Sequence, residues 1–104
     1  MTTIAVELPE AKIAAFCQKW RISRLEVFGS VLRNDFGPES DIDVLATFEP
    51  GALPSLFGLV EAELELQEIF SRPVDLLERS GVERNENWIR RRRILESART
   101  IYGR

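Results

Sequence analysis

The sequence predicts a small α/β (α+β) fold in which helices flank a mixed sheet. Residues 41–48 alternate between apolar and mostly polar side chains, which is typical of a strand with one buried face. Residues 55–70 and 87–102 instead carry apolar side chains at helical spacing. Helical and strand patterns alternate along the chain, as expected for helices packed on a sheet.

The predicted elements can be placed in chain order from periodicity and from turn residues. The breaks fall at clusters of Gly, Pro, Ser, Asn and Asp. The elements are a helix opening at Leu8–Pro9, a strand over 25–28, one or two helical turns over 31–34, a loop over 35–40, a strand over 41–48, a helix over 55–70, a strand over 74–77, a loop through Ser80 and Gly81, and a last helix over 87–102.

Length and composition limit the classes of protein that the chain can belong to. With 104 residues, 44% hydrophobic and 30% charged, the sequence predicts one globular domain over residues 1–104. No apolar run approaches the ~20 residues of a membrane span, and the N-terminus lacks a signal-peptide pattern, so we expect a cytoplasmic protein. The absence of His and the single Cys17 exclude a His–Asp relay, a Cys/His zinc site and an internal disulfide. Cys17 itself is expected to be a small buried apolar residue.

Charge is distributed unevenly along the chain. The interval between Arg33 and Arg72 contains no Lys or Arg but many Asp and Glu residues, whereas arginine predominates from Arg84 onward. An acidic segment suits bound cations, and a basic one suits phosphates or an acidic partner, unless both are simply solvated faces. The isoelectric point of about 5.0 argues against autonomous DNA binding.

The helix over 55–70 has an unusually broad apolar surface. Its apolar residues form two flanks separated by Glu63 and Gln67. The flanks are Leu56, Phe57, Val60 and Leu64 on one side and Leu59, Leu66 and Phe70 on the other. Either the whole surface is buried while Glu63 reaches solvent, or one flank packs on the sheet while the other meets a partner.

The remaining features are a run of four arginines, whose environment the sequence leaves open, and two tryptophans. The run Arg90–Arg93 is solvated, paired within the chain, a contact for a partner protein, or a contact for nucleic acid. Trp20 and Trp88 are expected in the core. The two apolar flanks and the arginine run are therefore the candidate partner surfaces.

Three carboxylates carry the strongest chemical signal. Asp41 and Asp43 are two residues apart on a predicted strand, so both side chains lie on one face. Adjacent carboxylates repel unless a cation shares them, and Mg²⁺ prefers such oxygen ligands together with water and phosphate. Asp75 lies within an otherwise apolar strand, where an acid is costly without a partner.

A glycine-serine pair precedes these carboxylates. Gly29-Ser30 directly follows a predicted strand, where glycine permits close approach of a phosphate and the serine hydroxyl and following amides can bind its oxygens. Taken alone, the pair is most often just a turn. Combined with Asp41, Asp43 and Asp75, it predicts in-line phosphoryl or nucleotidyl transfer.

The same residues resemble a known signature. Gly29-Ser30, ten intervening residues and Asp41-Ile42-Asp43 are similar to the motif of the DNA polymerase β-like nucleotidyltransferase superfamily. The stretches GSVLRNDFGPESDIDVLATF and IRRRRILESARTIYG resemble its smallest members, the minimal nucleotidyltransferases. The resemblance implies the minimal nucleotidyltransferase fold and an antitoxin that uses ATP and two Mg²⁺ ions to transfer AMP to a tyrosine of a HEPN-domain RNase toxin.

The resemblance also implies a role for each residue of the motif. The roles are triphosphate binding for Gly29 and Ser30, phosphate contact for Arg33, bracing of the loop for Ser40, metal ligation for Asp41 and Asp43, and metal ligation with deprotonation of the acceptor for Asp75. Asn34 stands where many relatives have glycine, but asparagine tolerates a left-handed backbone. Two alternatives stay open, namely an antitoxin that acts by binding alone and a small-molecule nucleotidyltransferase. The small size favours an acceptor supplied by a partner protein.

Overall fold

The computed structural model describes residues 8–29 and 40–103. The predicted helical turns over 31–34, and Ser30 and Arg33 with them, lie outside this part of the chain. Helices and strands of the described part follow one another in the order α1 (Glu10–Trp20), β1 (Ile22–Phe28), β2 (Ile42–Phe48), α2 (Leu56–Phe70), β3 (Val74–Glu78), α3 (Arg79–Glu83), α4 (Trp88–Ser97) and β4 (Arg99–Gly103).

The four strands form one mixed sheet in the order β3-β2-β1-β4. β1 is antiparallel to both β2 and β4, whereas β2 and β3 are parallel. A parallel pair needs a crossover connection, and α2 supplies it between β2 and β3. The predicted α/β (α+β) class is therefore confirmed. β3 and β4 are the two edges of the sheet as far as the structure describes it.

Each face of the sheet has its own hydrophobic core. Along β2, Val44 belongs to a core shared with α1 and α2, while the next residue, Leu45, belongs to a smaller core shared with α3 and α4. Successive side chains of a strand point to opposite faces, so α2 and α4 lie on opposite sides of the sheet. By the same alternation, Asp43 shares the α3/α4 side with Leu45.

Helix α1 and helix α2 are joined by a polar contact at their surface. Glu65 accepts hydrogen bonds from the Lys19 ammonium and from the Trp20 indole N–H, the latter at 2.8 Å. Burial raises the pKa of Glu65, but these two donors together outweigh it and hold the pKa below its usual value. Trp20 is half-buried and packs against the core beside Phe16.

Cys17 lies on the inner side of α1. Its side chain has no solvent exposure, as the sequence predicted. Burial raises the pKa of the thiol to about 12.

The predicted last helix over 87–102 is wrong over its last five residues. Helix α4 ends at Ser97, Ala98 adopts an extended backbone, and the following residues form β4 along β1. An unpaired edge of β1 would leave its backbone groups without partners, and this pairing outweighs the helical spacing that had placed Tyr102 on the helix. Trp88 is not in the core either, because its side chain is 57% exposed at the start of α4.

Two smaller features also differ from expectation. The predicted loop through Ser80 and Gly81 is the short helix α3, which Glu78 caps by accepting hydrogen bonds from both backbone N–H groups. Strand β1 begins three residues earlier than predicted, at Ile22. No helix within residues 8–29 and 40–103 is long and apolar enough to cross a membrane.

Candidate active site

Asp43 and Asp75 lie side by side on neighbouring strands. They are paired positions in the parallel register of β2 and β3, and paired positions point to the same face of a sheet. Asp43 is also paired with Phe28 at the end of β1, so these three residues form one row across three strands. The two carboxylates predicted to act together are therefore brought together by the sheet.

Gly29 lies directly against the carboxylate of Asp43. It follows the last residue of β1 and has a left-handed backbone with φ of 74°. A Cβ atom on this residue would lie 2.3 Å from Asp43 Oδ2, which is far inside van der Waals contact. Only glycine leaves room for this carboxylate and tolerates this backbone angle. The predicted phosphate-binding glycine and metal-binding aspartate are thus in contact.

Asp41 and Ser40 lie at the entrance to β2. The strand begins at Ile42, one residue later than predicted, and the Ile42 N–H donates to the Pro73 carbonyl at 3.0 Å. Arg72 Nη1 donates to the Ser40 carbonyl at 3.5 Å. The segment before β3 therefore fixes the backbone on either side of Asp41. Asp41 is exposed, and Asp43 is half-buried.

Asp75 is exposed, which corrects one premise of the sequence analysis. The expectation of a costly acid inside a core strand assumed that β3 was covered on both sides. Because β3 is an edge strand, Asp75 keeps its contact with water while Val74 beside it is buried. Its placement next to Asp43 is the argument for a role in the site.

Glu63 of α2 supports the strand that carries Asp75. Its Oε2 accepts a hydrogen bond at 2.9 Å from the backbone N–H of Leu76, the next residue. This contact satisfies a backbone donor on an edge strand, where donors would otherwise face solvent. Glu63 therefore contacts β3, so the alternative in which the whole apolar surface of the helix is buried while Glu63 reaches solvent is wrong.

The floor beside the carboxylates is apolar and anchored by a buried ion pair. Phe28 and Leu45 are buried under α3 and α4. Two residues before Phe28, Glu26 is 5% exposed and pairs with Arg79 at 2.6 Å and with Arg24 at 3.3 Å. A buried acid requires such partners, and the pair ties the start of α3 to β1.

The donors fit a magnesium ion that arrives with a nucleotide. Within residues 8–29 and 40–103, no three acidic, cysteine or histidine side chains are close enough to hold a metal by themselves. Mg²⁺, however, usually takes only one or two carboxylates and completes its coordination with water and phosphate oxygens. Asp41 and Asp43 supply that kind of ligand.

Comparison with known proteins decides the family. The sequence profile of the nucleotidyltransferase domain matches residues 10–101, which is most of the chain. The chain belongs to the nucleotidyltransferase family. Among curated relatives of this nucleotidyltransferase, a candidate protein adenylyltransferase of Methanocaldococcus jannaschii is 39% identical over 66 residues, 64% of this chain and 69% of that protein. The protein adenylyltransferase MntA of Thermococcus cleftensis is 32% identical over 65 residues, 62% of this chain and 64% of that protein.

Solved structures share the fold of this nucleotidyltransferase. A chain from a toxin–antitoxin crystal structure with AMP-PNP superposes with a TM-score of 0.71 at 17% identity, covering 93% of this chain and 75% of that chain. A chain from the complex of the tri-AMPylated Shewanella oneidensis HEPN toxin with its MNT antitoxin gives a TM-score of 0.61 at 18% identity, with coverage of 91% and 70%. A solved candidate minimal nucleotidyltransferase gives a TM-score of 0.65 at 27% identity, with coverage of 86% of each chain, and confirms the predicted minimal nucleotidyltransferase fold.

The structure of this nucleotidyltransferase describes the positions of five of the seven residues of the predicted motif. Gly29, Asp43 and Asp75 are brought together, while Ser40 and Asp41 lie at the entrance of the same strand. Ser30 and Arg33 lie outside the described residues. Sequence reasoning missed Arg72 and the bond from Glu63. The signal for Arg72 was its position as the first basic residue after the acidic interval, directly before Pro73 and a strand.

Proposed function

We propose that this nucleotidyltransferase transfers AMP from ATP to a tyrosine of a HEPN-domain toxin, and so acts as an antitoxin in the cytoplasm. The observation that carries the proposal is the contact of Gly29 with Asp43 and the pairing of Asp43 with Asp75. Family membership supports nucleotidyl transfer, and the names of the two curated relatives support a protein as acceptor. The AMP-PNP complex and the AMPylated HEPN toxin among the structural neighbours support ATP and this partner class.

The reaction makes and breaks one bond at the α-phosphorus. The acceptor oxygen of the tyrosine forms a bond to the α-phosphorus of ATP, the bond from that phosphorus to the bridging oxygen breaks, and pyrophosphate leaves. The phenol proton must also depart. Its ordinary pKa near 10 leaves the phenol protonated at neutral pH. Asp75, exposed beside Asp43, would accept this proton and pass it to water.

The remaining residues would bind and orient the nucleotide. Asp41 and Asp43 would hold Mg²⁺, with Asp75 as a further ligand on the acceptor side. When bound, the metal would neutralise charge that develops on the phosphate oxygens during in-line displacement. Gly29 would let the triphosphate approach the strand end, with Ser30 and Arg33 as further phosphate contacts and Ser40 bracing the loop. Arg72 would keep the backbone before Asp41 in place through its bond to Ser40.

The experiment compares the wild type with the double variant Asp41→Asn/Asp43→Asn. Each protein is incubated with ATP, Mg²⁺ and an excess of a HEPN-domain RNase toxin, and the toxin is analysed by intact-mass and peptide mass spectrometry. We expect one or more AMP groups on a toxin tyrosine with the wild type and none with the double variant. Calorimetry should show ATP binding that requires Mg²⁺ and is severely weakened in the double variant.

A matched control removes a carboxylate elsewhere. Glu86 is exposed in the turn before α4, so Glu86→Gln should transfer AMP like the wild type. Neutralisation of the toxin by sub-stoichiometric wild type would agree with catalysis. Full protection by the double variant without any added mass would instead make the chain an antitoxin that acts by binding.

A further inference from the structure

Helix α2 exposes a continuous apolar surface. Four of its large side chains are at least half exposed, with Phe57 at 86% and Leu56 at 75%. We call these residues the α2 stripe, and its members are Leu56, Phe57, Val60 and Leu64. Single exposed apolar residues are common on protein surfaces, but a contiguous row of large ones marks an interaction site.

The opposite flank of α2 accounts for all of its packing on the sheet. Ala62, Leu66 and Phe70 are buried in the core with β1 and β2. Of the two alternatives that the sequence left open, the structure therefore has one flank on the sheet and the other exposed. The α2 stripe contributes nothing to this core.

The position of the α2 stripe follows from contacts on its two sides. Glu63 bonds to Leu76 of β3 and Glu65 bonds to Lys19 of α1, so α2 lies between β3 and α1. Successive residues of a helix are rotated by about 100° around its axis. Around the axis of α2, the stripe therefore lies between about 20° and 120° from Glu63. The exposed acids Glu61 and Glu68 follow at about 140° to 160°. The stripe thus borders the β3 edge, and acids line its α1 side.

We propose that the α2 stripe is the surface on which the acceptor protein of the AMP transfer docks, through an apolar segment flanked by Lys or Arg residues. This inference rests on the proposed function. An acceptor must reach Asp75. Asp75 shares the α3/α4 face of the sheet with Asp43, opposite α2, but it is exposed on the edge strand that α2 borders, so an acceptor bound to the stripe would reach it around this edge. The charge requirement follows because α2 contains no basic residue while Glu61 and Glu68 are exposed beside the stripe.

A second copy of this chain fits the α2 stripe less well. Two stripes packed antiparallel about a twofold axis would bring Glu61 and Glu68 of both copies together, and like charges repel across an interface. The exposed Trp88 and Ile89 of α4, with arginines next to them, are complementary in charge but lie on the other face of the sheet. Docking α4 of one copy on α2 of the next would therefore be a head-to-tail contact, which tends to give open chains of molecules.

The test uses two double variants that each remove two large exposed apolar side chains. Phe57→Ser/Leu64→Ser removes two members of the stripe. The control, Trp88→Ser/Ile89→Ser, removes exposed apolar residues of α4 on the face of the sheet that carries Asp75, and so tests whether the acceptor docks there instead. None of the four side chains is in a hydrophobic core, so both variants should fold, as circular dichroism will show. Affinity for the HEPN-domain toxin used in the transfer assay is measured by calorimetry, and ATP binding is measured separately.

We expect the stripe variant to bind the HEPN-domain protein at least about tenfold more weakly, with ATP binding unchanged. The control should bind like the wild type. Higher salt should weaken the wild-type complex, because salt screens the attraction between the charges. At low salt, the variant Glu61→Lys/Glu68→Lys should bind more weakly than the wild type. Equal affinity of the stripe variant and the wild type would overturn the proposal. If light scattering finds that the wild type is an oligomer and the stripe variant is a monomer, the stripe is a contact between copies of this chain, and the proposal is overturned.

The outcome is separable from that of the proposed function. If a HEPN-domain protein binds through the stripe but never receives AMP, the docking surface is supported and the transfer reaction is contradicted. Transfer with an unchanged KM for the acceptor in the stripe variant would remove the docking surface and leave the reaction standing. A raised KM with a similar kcat is the expected result, because the stripe binds the acceptor without touching the reacting atoms.

Discussion

The two edges of the sheet, β3 and β4, are built for different purposes. β3 runs parallel to β2, is supported from α2 through Glu63, and brings the exposed Asp75 beside Asp43. β4 runs antiparallel to β1 and ends at Gly103, whose backbone lies against that of Ser23. The candidate chemistry is concentrated at one edge, while the other edge completes the pairing of β1. Substitutions at the two edges should therefore affect different properties.

The largest effect is expected at Asp75. Asp75→Asn removes the proposed proton acceptor and metal ligand while keeping the size of the side chain. We expect AMP transfer to fall by about 10²- to 10⁴-fold, which is the usual contribution of a general base. The melting temperature should not change, because the residue is exposed and its loss leaves no buried group unpaired. Transfer at the wild-type rate would show that the β3 edge has no part in the chemistry.

Gly103→Ala should have the opposite profile. Gly103 has φ of 86°, and a Cβ atom there would lie 2.2 Å from the carbonyl oxygen of Ser23. A left-handed backbone at a non-glycine residue costs about 1–3 kcal/mol, so urea unfolding should show a loss of that order. AMP transfer per folded molecule, measured well below the unfolding transition, should stay near the wild-type value. A large loss of transfer in the folded variant would contradict the division between the two edges.

The smallest effect is expected at Glu63, on the supporting side of β3. Glu63→Ala removes the acceptor for the Leu76 N–H and should reduce the free energy of unfolding by about 0.5–1.5 kcal/mol. Glu63→Gln keeps an acceptor oxygen and should stay closer to the wild type. Hydrogen exchange at Leu76 provides the direct measurement, with faster exchange expected in the alanine variant. Unchanged exchange would mean that the side chain does not hold the β3 edge.

The sequence predicted the half of the molecule in which local pattern and chemistry agree. In β2, the alternation of apolar and polar residues predicted which face is buried. The same period of two predicted that Asp41 and Asp43 share a face. The predicted helix over 55–70 begins one residue late only because Ser55 is its cap. The turn at Gly29 after β1 could also be predicted, since few residues other than glycine adopt a left-handed backbone close to another side chain.

The features that the sequence did not predict depend on distant partners. Nothing in residues 99–103 reveals that β1 lacks a partner on that side, although Thr100, Ile101 and Tyr102 have high strand propensity. The exposure of Asp75 depends on β3 being an edge strand, which only the order of the sheet decides. The bond from Glu63 to Leu76 depends on how α2 packs beside β3, which the periodicity of the helix alone does not predict.

The position of Cys17 has a consequence for oxidants. A thiol reacts as its thiolate, and a pKa of about 12 leaves almost no thiolate at physiological pH, in a side chain that solvent does not reach. Because this is the only cysteine of the chain, sulfenic acid formation, glutathionylation and disulfide exchange have no accessible starting point here. Oxidative stress therefore cannot act on this nucleotidyltransferase through one of its own cysteines unless α1 first separates from the sheet.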